Sequence, residues 1–407
     1  MVVFTSVAVF LFSAIALVVA SGFSLGAALL ALGGMALLFR RPAGWWMAPR
    51  DWALAGVLAA YFLINVAANL FHGAPARDYD APLRFLLAIP ALLLLLAWPP
   101  RAAAFWSGLA LGAIGAGLLG GWQLLMDGVL RPGGSTNPIQ YGNISITLGI
   151  LCLCGLSWAK QQTHARAWTG TLCIGAAAGV AGSLLTGSRG SWLALPVCLA
   201  IFACTQGSAL GKRLAGAAAL ALCAISVVLW VLPQSGLKAR IELAFSEADD
   251  YVVRGNADSS VGARLEMWRT GIAMLPGHWL AGWSKQGMIE RKAELVRQGL
   301  AAPSIEEHTH LHNEYLDALV KHGLPGLLAL LALYLTPLAL FARRLRDGDG
   351  DGAARSYALA GTLLTVAYLT FGLTQAFLTH NNGVMIFGFM TVILWASLRT
   401  RERLTVA

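Results

Sequence analysis

The stretch HTHLHNEYLDALVKHGLPGL, residues 308–327, holds four of the eight histidines in the chain. His308, His310 and His312 alternate, and His322 lies directly before a Gly-x-x-Gly. In an extended segment alternate residues share a face, so three imidazoles could converge on one metal ion, supplemented by Glu306, Glu307 or Glu314. Against that, no cysteine is near and the spacing fits no standard zinc pattern. A pH sensor and a catalytic base are the other chemistries open to imidazoles near neutral pH. His312 stands at the start of a predicted helix with Asn313 as its cap, a place that keeps an imidazole neutral and basic.

The arginines suggest what such a base would work beside. Arg189 sits in LLTGSRGSW, where Gly187, Ser188, Gly190 and Ser191 let backbone approach a ligand closely. Its guanidinium offers a planar fork for phosphate oxygens, with snorkelling to lipid phosphate as the alternative. Arg264 and Arg269 fall on one predicted helix, and Arg264 lies near its N-terminus, where the dipole also favours an anion. Arg189 with Arg264 would form a clamp for a diphosphate. DYD (78–80) resembles a D-x-D that holds a divalent ion, but Arg77 and Arg84 would pair with those carboxylates. DGDGDG (347–352) begins like a calcium loop, yet the twelfth position is Ala358, so it reads as a hydrophilic connector.

The elements that position these residues are hydrophobic. The 407 residues are 57% hydrophobic and only 12% charged, and the mean hydropathy is +0.66. Apolar runs long enough to cross ~30 Å of hydrocarbon recur along the chain. Backbone groups in lipid must pair within their own segment, so the reading is an all-α polytopic membrane protein. About twelve transmembrane helices are predicted, near 2–20, 23–39, 52–70, 84–98, 103–126, 141–157, 169–187, 190–206, 214–232, 323–341, 357–378 and 383–398. All six cysteines fall inside these spans, which suggests neither disulfides nor a zinc motif.

With a cytoplasmic N-terminus, the inside segments carry fifteen Lys and Arg residues, among them Arg40, Arg41, Lys212, Arg213, Arg343 and Arg399. The short outside loops carry only Arg77, Arg84, Arg131 and Arg189. This positive-inside bias places both termini in the cytoplasm and accounts for much of the net charge of +9, so nucleic acid is not an expected partner. Tryptophans such as Trp45, Trp46, Trp52 and Trp158 sit at span ends as interfacial anchors. The chain divides into helices 1–9 over 1–232, an external helical loop over 233–322, and helices 10–12 with a short cytoplasmic tail over 323–407. The loop contains three predicted helices: SSVGARLEMWRTGIAML, KQGMIERKAELVRQG and NEYLDALVKHG, the last closed by Gly323 and Pro325.

His312-Asn313, nine further residues and then Gly323-Leu324-Pro325-Gly326 are similar to the signature of bacterial O-antigen ligases and the related polymerases. SRG at 188–190, GARLEMWRTG at 262–271 and NPIQYGN at 137–143 also resemble that superfamily, in the same order and topology along nearly the whole chain. The resemblance implies a C-type membrane glycosyltransferase in the bacterial inner membrane with a periplasmic active site. The donor would be polysaccharide on undecaprenyl diphosphate and the acceptor a hydroxyl of lipid A–core oligosaccharide. The expected transfer is inverting and needs neither metal nor cofactor. Carried over, Arg189 and Arg264 match the diphosphate-binding arginines and His312 the histidine that activates the acceptor, with His310, Asn313, Arg84 and Arg269 in support. A polymerase and a protein O-glycosylating transferase share the donor chemistry. A transporter would show internal repeats and mid-membrane charges, which this sequence lacks.

Overall fold

A computed structural model of the chain describes residues 1–38, 47–206, 237–346 and 351–406. Arg40, Arg41, Trp45, Trp46, Lys212, Arg213, Cys223, the expected span at 214–232 and most of the DGDGDG connector lie outside the described residues. Among the described residues every regular element is helical. The α-helices are α1 Val2–Ala14, α2 Gly22–Leu38, α3 Pro49–Phe71, α4 Asp80–Ala97, α5 Ala102–Leu125 and α6 Pro138–Cys154. There follow α7 Leu156–Ala159, α8 Ala165–Leu185, α9 Arg189–Trp192, α10 Ala194–Gln206, α11 Leu237–Arg254 and α12 Ser260–Ala273. The chain ends in α13 Ser284–Arg297, α14 Glu314–Arg346, α15 Gly352–Phe371 and α16 Asn381–Val406.

Seven helical stretches among the described residues are long and apolar enough to cross a membrane, consistent with a polytopic membrane protein. Expectation and structure differ at the ends of the bundle. The span expected at 2–20 is a helix of 13 residues, about 20 Å long, short of the ~30 Å hydrocarbon layer, whereas α2 follows the span expected at 23–39 to the edge of the described residues. The first stops because the chain reverses after Ala14, with Ser21 in the left-handed region at φ 56°. The span expected at 190–206 is broken into α9 and α10. The span expected at 357–378 leaves its helix at Gly372, and residues 372–380 turn into the site described below.

Helices α6, α15 and α16 form the buried centre, and that burial lets α15 carry Ser356, Tyr357, Thr362 and Thr365 away from lipid. Around them α5 packs on α1 and α8, α4 on α2, and α14 on α3 and α15. Small residues set the closest approaches, as between helices that cross in lipid. A Cβ on Gly34 would stand 2.1 Å from the Pro90 carbonyl oxygen, and one on Gly112 2.1 Å from that of Ser13. Leu63, Leu118 and Leu328 remain exposed on the outer faces, which suits hydrocarbon. A second, separate apolar cluster joins α12, α13 and the start of α14, built from residues such as Met267, Met274, Met288, Ile305 and Leu311.

At the end of the bundle away from the histidines, Asp51 is fully buried. Its carboxylate accepts from Trp395 Nε1 at 2.8 Å, Arg399 Nε at 3.0 Å and the Ala48 amide at 2.9 Å. Glu402 joins the same network through Arg399 and Arg344. A buried charge stripped of its partner is destabilising by roughly 3–5 kcal/mol. Asp51→Ala should therefore lower the unfolding temperature of purified protein in detergent, whereas Arg50→Ala, at a half-exposed 3.9 Å pair, should leave it nearly unchanged. Equal melting of the two variants would contradict this network.

Candidate active site

The histidine loop is fixed by its backbone. Leu311 is fully buried; its amide donates to Asp317 Oδ1 at 2.9 Å and its carbonyl accepts from Trp268 Nε1 at 3.0 Å. The Lys292 ammonium, itself fully buried, donates to the His308 carbonyl. Asp317 is neutralised in turn by Lys321 at 2.7 Å. Gly271 closes the motif GARLEMWRTG because a side chain there would collide with Leu311, 2.7 Å from a Cβ. Arg264, Trp268 and Gly271 recur at one-turn spacing on α12 and present one face to this loop.

These clamps hold His312 at φ 50°, a left-handed conformation that is uncommon for a side-chain-bearing residue. The following Asn313 caps α14, its Oδ1 accepting from the Tyr315 and Leu316 amides at 3.1 Å each. After nine intervening residues Gly323, at φ 65° and ψ −168°, kinks α14 into a short helix and a long span. Only glycine fits there: a Cβ would stand 2.2 Å from the Leu280 carbonyl oxygen. The H-N-x9-G-x-x-G spacing is thus the length of one short helix between a left-handed histidine and a left-handed glycine.

The three alternating imidazoles crowd one another edge to face, with ring centroids 4.3 Å apart for His310–His312 and 5.2 Å for His308–His312. Among the described residues no group of three His, Cys, Asp or Glu is arranged to hold a metal ion. Burial pushes His312 down to about 2, helped by His310, Arg264 and His308, and His310 also down to about 2. Both rings are neutral at physiological pH. Each buries an Nδ1 atom that has no hydrogen-bond partner among the described residues.

His312 opens on a cavity of about 470 Å3, shared with Arg131, Arg264, Gln140, Gln375 and His380. Arg264 is pushed down to about 10 by burial and by its neighbours Arg189 and Arg131, so it keeps its charge. Arg189 stands beside this cavity rather than on its wall and pairs with Glu247 at 3.3 Å. Glu247 also accepts from the Val261 amide at 3.2 Å, which joins the Gly187 turn to the start of α12. The three arginines therefore gather on one side of His312. A second cavity, of about 320 Å3, lies on the other side of His310 and His380.

The other sequence candidates take supporting places. Arg84 pairs with Asp80 at 2.6 Å and Asp78 with Lys285 at 3.3 Å, so the DYD carboxylates are held in salt bridges. Arg269 is committed to Glu266 through two bonds of 2.9 and 2.6 Å and faces away from both cavities. Sequence reasoning did not single out Arg131, Gln375, His380 or Lys292. Arg131 carried one signal: with Arg77, Arg84 and Arg189 it is one of four arginines that run against the charge asymmetry.

Residues 174–331 match the family model for O-antigen ligase, a segment that includes Arg189, Arg264, the histidine loop and Gly323. An uncharacterized protein of Haemophilus influenzae is 27% identical over 328 residues, covering 79% of this chain and 80% of that protein.

The buried neutral histidines set a pH dependence of stability. In the unfolded chain they take up protons below about 6.5, whereas His310 and His312 in the fold do so only near 2. The unfolded state binds more protons in that window, so stability falls as pH drops through ~6.5. Unfolding temperatures measured from neutral pH to about pH 5.5 should decline, and His310→Gln should flatten the decline. A wild-type curve without slope would mean the rings are not buried as described.

Proposed function

We propose that this protein transfers a polysaccharide from undecaprenyl diphosphate to a hydroxyl of lipid A–core oligosaccharide, a reading supported by the match of residues 174–331 to the O-antigen ligase family model. The observation that carries this reading is the cavity in which Arg264 and Arg131, backed by Arg189, face a neutral His312. Clustered guanidinium groups suit a diphosphate, and a neutral imidazole suits an alcohol that must lose its proton. In this reading the external loop, residues 233–322, lies in the periplasm, and the termini lie in the cytoplasm.

The acceptor oxygen attacks C1 of the donor sugar, and the bond from C1 to the diphosphate oxygen breaks with its electron pair leaving on phosphate. Arg264 and Arg131 stabilise the charge that grows there, in a poorly hydrated site where fixed cations act most strongly. His312 receives the hydroxyl proton. A bound diphosphate also offsets Arg264 and so relieves that arginine's share of what lowers His312, while the shares of His310 and His308 remain. Burial remains the larger part. Donor occupancy thus makes His312 a stronger base than it is in the empty site.

Purified protein supplied with undecaprenyl diphosphate-linked polysaccharide and lipid A–core should put polysaccharide on lipid A–core with excess chelator present. Longer chains on the carrier alone would make the protein a polymerase; dependence on a divalent ion would return DYD and the histidine run to the mechanism. Arg264→Lys should lower turnover because an ammonium cannot reproduce the bidentate fork. A wild-type rate in that variant would mean that charge alone suffices. Arg131→Ala should weaken the donor interaction at least as much as Arg189→Ala, since Arg131 lines the cavity and Arg189 is already paired.

A further inference from the structure

Helix α3 is apolar on its outer face, yet Tyr61, Asn65 and Asn69 recur every four residues along one inner stripe and line the second cavity. Polar side chains on a membrane helix face protein or a watered space and mark a ligand path by default. Asn65 and Asn69 each spend an amide donor on backbone, on the Tyr61 carbonyl at 2.8 Å and the Asp78 carbonyl at 3.0 Å. Neither amide oxygen is among the buried, unpartnered atoms of the described residues. The cavity volume of about 320 Å3 lies at the lower end of the ~300–1,000 Å3 range of small-molecule sites.

Charge separates the two cavities. The wall of the second carries Arg77, Lys285 and Lys321 against Asp78, Asp80, Glu314 and Asp317, three cations against four carboxylates. Lys285 and Lys321 are already paired with Asp78 and Asp317. Such a near-balanced wall has no excess of cations to draw a diphosphate but offers donors and acceptors in mixed order, which is what vicinal hydroxyls of a sugar need. The first cavity carries Arg131 and Arg264 against Asp258 alone.

Position completes the argument. His310 and His380 line both cavities, their rings edge to face at 5.4 Å, and His312 stands 4.3 Å beyond His310. A ligand in the second cavity is therefore one imidazole away from His312, on the side opposite the arginines. In-line displacement at C1 requires the nucleophile to arrive opposite the leaving group. We propose that the Tyr61–Asn65–Asn69 cavity is the acceptor site, holding an uncharged, hydroxyl-rich sugar whose reacting hydroxyl reaches past the edge of the His310–His380 pair to His312. This rests on the transferase reading of the site and names where its second substrate sits.

The test is binding without turnover, by saturation-transfer NMR, of delipidated core oligosaccharide to the full-length protein in detergent. Asn65→Leu should weaken that binding about tenfold, as loss of one or two buried hydrogen bonds does. Undecaprenyl diphosphate binding should stay at its wild-type level in that variant. Leu63→Ala, on the lipid-exposed face of the same helix, should change neither. If the wild type binds carrier-linked glycan instead of core, and Asn65→Leu weakens that, the cavity is still the acceptor site while the ligase reading falls. Unchanged glycan binding in Asn65→Leu, loss of glycan binding in Arg264→Ala instead, or no glycan binding by the wild type would each overturn the assignment.

Discussion

The site depends on how one buried residue, Leu311, is held. Its amide is fixed by Asp317 and its carbonyl by Trp268, and the preceding turn is fixed by Lys292 at the His308 carbonyl. Those bonds come from three different helices, α12, α13 and α14. They impose the left-handed backbone at His312, an expense of about 1–2 kcal/mol that local packing must outweigh. Without them the loop would relax toward water and its imidazoles would titrate like free histidines. The dry, neutral state of His312 is thus a product of tertiary clamping rather than of the residue itself.

The same clamps place opposite chemistries on the two sides of a thin partition. His310 and His380 form that partition, with clustered arginines on one side and balanced ion pairs on the other. Elements distant in sequence meet there: the turn at Arg189, the start of α12, the histidine loop and the 372–380 turn. Glu314 ties the last two together, its amide donating to the Gly372 carbonyl at 2.8 Å and its carboxylate accepting from Leu378 at 2.9 Å. The buried Asp51 network at the far end holds α3 and α16 in register, so the cavity between α3 and α14 keeps its shape.

Much of this was legible in the sequence because the relevant forces are local. Apolar run length finds the seven helices among the described residues that are long enough to cross a membrane, and Asn313 as a cap and Gly323 with Pro325 as the end of a short helix stand as expected. The pairing of Arg84 with an Asp of DYD was likewise within reach, being one helical turn apart. What escaped depends on contacts between distant segments. Nothing local marks Gln375, which lies where a span was expected to continue, or His380, which lies just past that expected span; the chain turns inward there instead. Lys292 sits on a polar helix whose composition predicts a solvated face, yet it is buried because a carbonyl 16 residues away needs a donor. The length of α1 was misjudged because apolarity alone cannot show where a chain reverses.

The central claim is that His312 accepts the acceptor proton while the arginines across the cavity hold the leaving diphosphate. The most direct measurement is the turnover of His312→Gln at saturating donor and acceptor, with undecaprenyl diphosphate binding measured on the same preparation. The account predicts a loss of ~10²–10⁴-fold in turnover, the usual worth of a general base, with donor binding intact. Turnover at the wild-type level, or a loss explained by failed donor binding, would contradict it.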